Sequence, residues 1–114
     1  MNPDHSQMLP YELMPAAEAD LREIARYTLR QWGERQAQRY ASLLEACFQG
    51  IAQNSVLSRT FSERYPQVRV TRCEHHYIFY LFPEGMRPRI IAVLHENMDL
   101  VARVRRRLST SEGQ

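Results

Sequence analysis

The order of patterns along this chain predicts an α+β fold. It would be a small, mostly antiparallel sheet packed by an N-terminal helical hairpin, in the order β-α-α-β-β-β-α. Three observations predict it. Two amphipathic stripes with helical spacing follow one another, with only Gly33 between them. Three strand-like segments then come in succession, and a last helical stripe follows. Grouped helices followed by grouped strands are the pattern of an α+β domain, whereas a doubly wound sheet would alternate the two. A chain of 114 residues suits one domain with one core.

The elements follow in order. Residues 9–14, LPYELM, read as a short strand. Pro15 suits a first helical position, and acidic Glu18 and Asp20 lie near the positive end of the helix that follows. Leu21, Ile24, Ala25, Thr28, Leu29 and Trp32 form its apolar stripe. Gly33 stops it, because glycine accepts left-handed backbone. Ala37, Tyr40, Ala41, Leu44, Cys47, Phe48 and Ile51 line a second helix from about Glu34 to Gln53. The single glycine between the two implies an antiparallel hairpin. Asn54 to Gln67 reads as one long irregular loop. Val68 to Cys73 alternates apolar and polar residues as a half-buried strand does. Tyr77 to Phe82 is apolar on both faces, so it belongs in the middle of the sheet. PEGMRP is turn chemistry, and RIIAVLH, residues 89–95, is a third buried strand. Asn97 is placed to cap the last helix, with Met98, Val101, Val104 and Leu108 inward. The domain therefore spans residues 9–108, with a disordered segment at 1–8 and a flexible tail at 109–114.

Composition narrows the function classes. No apolar run approaches the roughly 20 residues that cross a bilayer, and MNPDHSQML lacks the layout of a signal peptide. A cytoplasmic protein is the expectation. Two cysteines do not make a disulfide framework there and are too few for a cysteine-built zinc site. The net charge is only +2, yet all 15 basic residues are arginine. Arginine matches phosphates and carboxylates but does not titrate near neutral pH, so it holds anions and moves no protons. A GC-rich coding sequence produces the same bias.

The candidate sites are few. His75 and His76 are adjacent, and neighbouring strand residues point to opposite faces. One histidine is therefore expected to pack beside the sheet and the other to face solvent; at most one of them is functional. His95 ends the last strand, either as an acid–base group or as a brace for the strand-to-helix corner. Arg59 and Arg64 lie in the long loop, and Arg69 and Arg72 point to opposite faces of the strand after it. They are a solvated charged face or part of a basic groove. RVRRRL, residues 103–108, is the densest basic run, partly explained by the negative end of a helix. No HExxH, no metal-spaced cluster, no glycine-rich phosphate loop and no GxSxG elbow occurs. No cofactor and no metal is expected.

YELMPAAEADLREIARYTLRQWG, HHYIFY and IIAVLHENMD together resemble the ParE branch of the ParE/RelE toxin superfamily. The resemblance covers about Leu9 to Leu108. It rests on a short strand running into a proline-led, alanine- and acid-rich helix, a Trp32-Gly33 step, the HYIFY strand after a long loop, and Val93-Leu94-His95 leading into Met98-Asp99. Each is weak alone; in this order they are specific.

The resemblance implies a bacterial cytoplasmic toxin of a type II toxin-antitoxin system, associated with plasmid stabilisation. It would inhibit DNA gyrase by binding and be neutralised by a ParD-like antitoxin in a hetero-oligomer. The related RelE branch instead cuts messenger RNA on the ribosome. For that alternative Arg59, Arg64 and Arg72 would hold phosphate, and His75 or His76 would move protons. The chain lacks lysine and lacks the tyrosine or histidine that some members carry at the end of the last helix, so binding leads over RNA cleavage and no catalytic residue is expected. A toxin fold acting only as an inactive binding module is a third reading. His76 and His95 then read as scaffold or partner surface. Arg103, Arg105, Arg106 and Arg107 are the expected partner-binding set. Specific DNA binding by this chain alone is not expected, because DNA contact in such systems belongs to the antitoxin.

Overall fold

Pro15 shapes the entry to the first helix. Its ring disfavours helical backbone in the residue before it, and Met14 is accordingly extended at φ −71°, ψ 153°. In the computed structural model, which describes residues 9–112, helix α1 runs over Pro15–Trp32 and α2 over Glu34–Ala52. Gly33 joins them at φ 93°, ψ 173°, a region open essentially to glycine alone. The positive φ matches the expectation, but ψ is extended rather than left-handed helical. That is how one residue both ends α1, by donating to the Leu29 carbonyl at 3.0 Å, and starts α2. At the other end of α2, Ser55 folds back to donate to Gly50 O at 2.9 Å, and Asn54 supplies the positive φ of 57°. Val56 then lies so close that a β-carbon on Gly50 would sit 2.8 Å from its methyl carbon.

The remaining elements are β1 (Glu12–Leu13), β2 (Arg59–Thr60), β3 (Val68–Cys73), β4 (His76–Leu81), β5 (Arg89–His95) and α3 (Leu100–Glu112). They form one five-stranded sheet in the order β1-β5-β4-β3-β2, in which only the β1–β5 pair is parallel. The fold is α+β, as the sequence implies. β4 is central and is buried on both faces along Ile78-Phe79-Tyr80. A bulge at Ile91 interrupts the β4–β5 register, since Phe79 pairs with Ala92 while Tyr80 pairs with Ile90.

Side-chain alternation divides the core in two. Ile78, Tyr80, Ile90 and Val93 face the hairpin and pack with Ala17, Leu44, Phe48 and Ile51. Val68, Val70, Phe79, Ala92 and Leu94 face the other way, against Val104 and Leu108 of α3.

Several expectations change. Arg59–Thr60 of the long loop is a strand, paired with Arg69 and Val70; two residues carry too little pattern to be seen in sequence. α3 starts at Leu100 and is capped by Asp99, whose carboxylate accepts the Ala102 N–H at 3.3 Å, so Asn97 is not the cap. Its inward residues are Leu100, Val104 and Leu108, whereas Met98 and Val101 are exposed. α3 continues through Ser109 to Glu112, where the sequence reading has a tail. The segment 1–8 and residues 113–114 lie outside the described residues. Leu29 and Trp32 of the α1 stripe are exposed.

Candidate functional site

The β3–β4 turn gathers the histidines. Glu74 takes a φ of 56°, which lets a two-residue turn join the strands and leaves His75 outside the ladder while His76 opens β4. His76 is buried, with 8% exposure, and His75 is exposed. That split was expected, but strand alternation is not its cause. His95 lies opposite His76 in the ladder and meets both: edge-on to His76 at 5.2 Å and stacked on His75 at 6.5 Å between ring centres. The three imidazoles thus form one cluster, which the rule that neighbours diverge had argued against.

Each ring is held by a different partner. The Tyr40 hydroxyl of α2 lies 2.6 Å from His76 Nδ1 and accepts the His75 N–H at 3.3 Å. The same hydroxyl lies 3.5 Å from the Cys73 carbonyl, so its proton goes to His76 Nδ1 when that nitrogen is bare and to Cys73 O when it is protonated. His95 Nδ1 accepts the Asn97 N–H at 3.1 Å, which is the corner-bracing role. His75 Nδ1 lies 3.0 Å from Glu96, whose other oxygen accepts from Arg72 at 2.6 Å. Arg72 also donates to Glu74 O at 2.9 Å and lies over the Tyr77 ring at 5.6 Å. Burial, followed by the nearby His95 and His75, pushes the His76 imidazole down to about 4. It is neutral at pH 7. The hydrogen bond to His75, helped by Arg72, holds the Glu96 carboxyl below its ordinary value, and burial raises the Tyr40 hydroxyl. Free Cys47 and Cys73 share the hairpin-side core with Tyr40. Among the described residues, no group of three or more His, Cys, Asp or Glu is placed to hold a metal ion.

The arginines separate into structural and available sets. Arg69, on the hairpin face, is tied to Ser58 at 2.8 Å and Thr60 at 3.3 Å. Arg72 is on the opposite face, as the odd spacing requires. Arg59 pairs with Val70, so it shares the Arg72 face, while Arg64 lies over Tyr65 at 5.6 Å. The five residues named for RNA cleavage are therefore not one open constellation: His76 is sealed behind Tyr40, and Arg72 and His75 are both spent on Glu96.

Arg107 differs from the other members of the expected partner-binding set. It donates to Asp20 of α1 at 2.7 and 3.1 Å and to Ile91 O at 2.8 Å, and Asp20 also accepts the Val93 N–H at 2.9 Å. β1 is too short to cover this edge of β5, and the Ile91 bulge turns these two backbone groups outward. The ion pair completes the edge and joins α1, on one face of the sheet, to α3 on the other. Arg103, Arg105 and Arg106 are exposed. The outer surface of the hairpin also exposes Tyr27, Leu29, Trp32 (67%) and Leu43.

Tyr40, Glu96 and Asp20 are site residues that sequence reasoning missed. Tyr40 reads as one more apolar stripe residue and Asp20 as a helix-dipole partner. Their partners lie far along the chain, and nothing local marks them.

A family model described as the ParE toxin of type II toxin-antitoxin system, parDE, matches residues 11–100. Toxin ParE of Escherichia coli is 45% identical over 101 residues, covering 89% of this chain and 98% of the relative. Toxin ParE1 of Caulobacter vibrioides is 35% identical over 92 residues, covering 81% and 94%. A solved structure of the chromosomal ParDE TA system from P. aeruginosa superposes with a TM-score of 0.64 at 20% identity, covering 75% of this chain and 92% of that one. That last likeness concerns the fold.

Proposed function

The chain belongs to the ParE toxin family of type II toxin-antitoxin systems, and from that premise we propose that it inhibits DNA gyrase by binding and is neutralised by a ParD-like antitoxin in the cytoplasm. The observation that carries the reading is the 45% identity to Toxin ParE of Escherichia coli across almost the whole of both chains. The chemistry of the surface supports it. Among the described residues, His76 is buried beside Tyr40, His95 braces the corner and His75 is held by Glu96. Fixed cations, by contrast, are plentiful and exposed. Binding through such cations needs no proton transfer, whereas 2′-hydroxyl attack on a phosphodiester needs a base and an acid.

Two surfaces serve the two partners in this reading. Arg103, Arg105 and Arg106 of α3 present charge to the target. Arg107 does not join them, because its guanidinium is occupied by Asp20. The exposed apolar side chains of the hairpin, with the short edge strands β1 and β2, offer the antitoxin a broad face. An antitoxin segment that orders on binding needs a large wrapped surface to offset the lost entropy. Acidic residues in it would complement the arginines.

Induction of the chain alone should arrest growth, and co-expression of the antitoxin from the neighbouring reading frame should restore growth and co-purify with the toxin as a hetero-oligomer. Unchanged growth on induction, with the protein present and folded, would leave only the inactive binding module.

A further inference from the structure

We infer that the Tyr40–His76–His95 cluster is a pH-sensitive latch that fastens α2 to the end of the sheet and releases it on acidification. The geometry carries this. His76 is buried at the first position of β4, with Nδ1 2.6 Å from the hydroxyl of Tyr40, which together with the Cys73 Sγ–Leu43 O contact ties α2 to this end of the sheet. The same hydroxyl accepts the His75 N–H, so α2, the β3–β4 turn and β4 meet at one oxygen. His95, across the ladder, uses Nδ1 as an acceptor, for the Asn97 N–H. A proton on His76 places a charge on a ring that is only 8% exposed and whose centre lies 5.2 Å from that of His95.

The groups facing His76 come from every packed element. His95 and His75 oppose its charging; Glu96 and, from α1, Asp20 favour it. Glu74 and Cys73 act with burial on Tyr40. Arg72 already pairs with Glu96, so burial and the two histidines prevail, and the ring stays neutral down to about pH 4. An opened His76 regains its ordinary value of 6.5. Protons therefore bind the open state first as pH falls. The latch is at full strength above pH 6.5 and weakens through the window from 6.5 to 4, with opening favoured roughly tenfold per pH unit.

The test is hydrogen exchange read by mass spectrometry on the folded chain, comparing wild type with His76→Asn. Asparagine keeps an acceptor near the Nδ1 position and takes up no proton. Between pH 7 and 5, peptides covering the N-terminal half of α2 and the β3–β4 turn should lose protection in wild type relative to His76→Asn by roughly tenfold per unit, while α3 peptides change equally in both. A proton NMR titration of the histidine Cε1–H signals gives a second readout that does not depend on the variant folding. His76 should titrate well below the ordinary imidazole value of 6.5. Parallel exchange in the two proteins, or a His76 midpoint near 6.5 with protection unchanged, would overturn the latch.

Discussion

Arginine 107 offers the sharpest distinction between a structural and an available cation. Arg107→Ala removes two charge-assisted bonds to Asp20 and one to the Ile91 carbonyl, leaving Asp20 with the Val93 N–H alone. Breaking a buried pair by deleting one partner costs about 3–5 kcal/mol. The side chains here are 24% and 15% exposed, so water reaches the orphaned carboxylate and the lower end applies, about 3 kcal/mol. In urea, with a denaturant slope of about 1.5 kcal/mol per M for a domain this size, the unfolding midpoint falls by about 2 M. Asp20→Asn removes the charge but keeps an acceptor for Val93, so its loss is smaller, about 1–2 kcal/mol. The double variant costs less than the sum of the two, because both remove the same interaction. Arg105→Ala, on the exposed side of the same helix, should stay within about 0.5 kcal/mol. Equal, small losses at Arg107 and Arg105 would refute the clamp and return Arg107 to the partner surface.

Gly33→Ala should destabilise by about 1–3 kcal/mol in the same assay, since no other residue settles easily at φ 93°, ψ 173°. Gly50→Ala should cost about 1–3 kcal/mol through the 2.8 Å approach to Val56, and Val56→Ala should rescue part of it. Joint replacement of Arg103, Arg105 and Arg106 by alanine should leave the unfolding midpoint nearly unchanged while weakening target inhibition at least tenfold, read by titration in a supercoiling assay. Trp32→Ala, at an exposed site, should also spare stability but slow antitoxin capture or speed its release by surface plasmon resonance.

The parts of the fold legible in sequence are those with long periodic patterns. α1, α2, β3 and β5 follow from stripes, alternation, Pro15 and Gly33, because burial on one face imposes a period that composition records. The two-residue strands β1 and β2 have no period, and β2 is invisible in the sequence. The start of α3 was misplaced because Asn97 and Asp99 are equally good caps by type; the choice depends on which residue's successors reach the core, and that is Leu100. At the site, the sequence implies that one of His75 and His76 packs and the other faces solvent, without saying which, and His95 does brace the corner. Their convergence with Tyr40 is not implied, since it depends on a turn at Glu74 and on a hydroxyl 36 positions away from His76. In sequence, Arg107 is one residue of a basic run and nothing sets it apart. Only the packing of α3 against β5 turns it toward Asp20 and leaves Arg105 and Arg106 outside.

The proposal that this toxin works by occupying a surface is tested most directly by one paired measurement: purified toxin titrated into a gyrase supercoiling reaction and, in parallel, into ribosomes translating a defined message. Loss of supercoiling, reversed by antitoxin, with the message left intact is the predicted result. Cleaved message with gyrase fully active would contradict it.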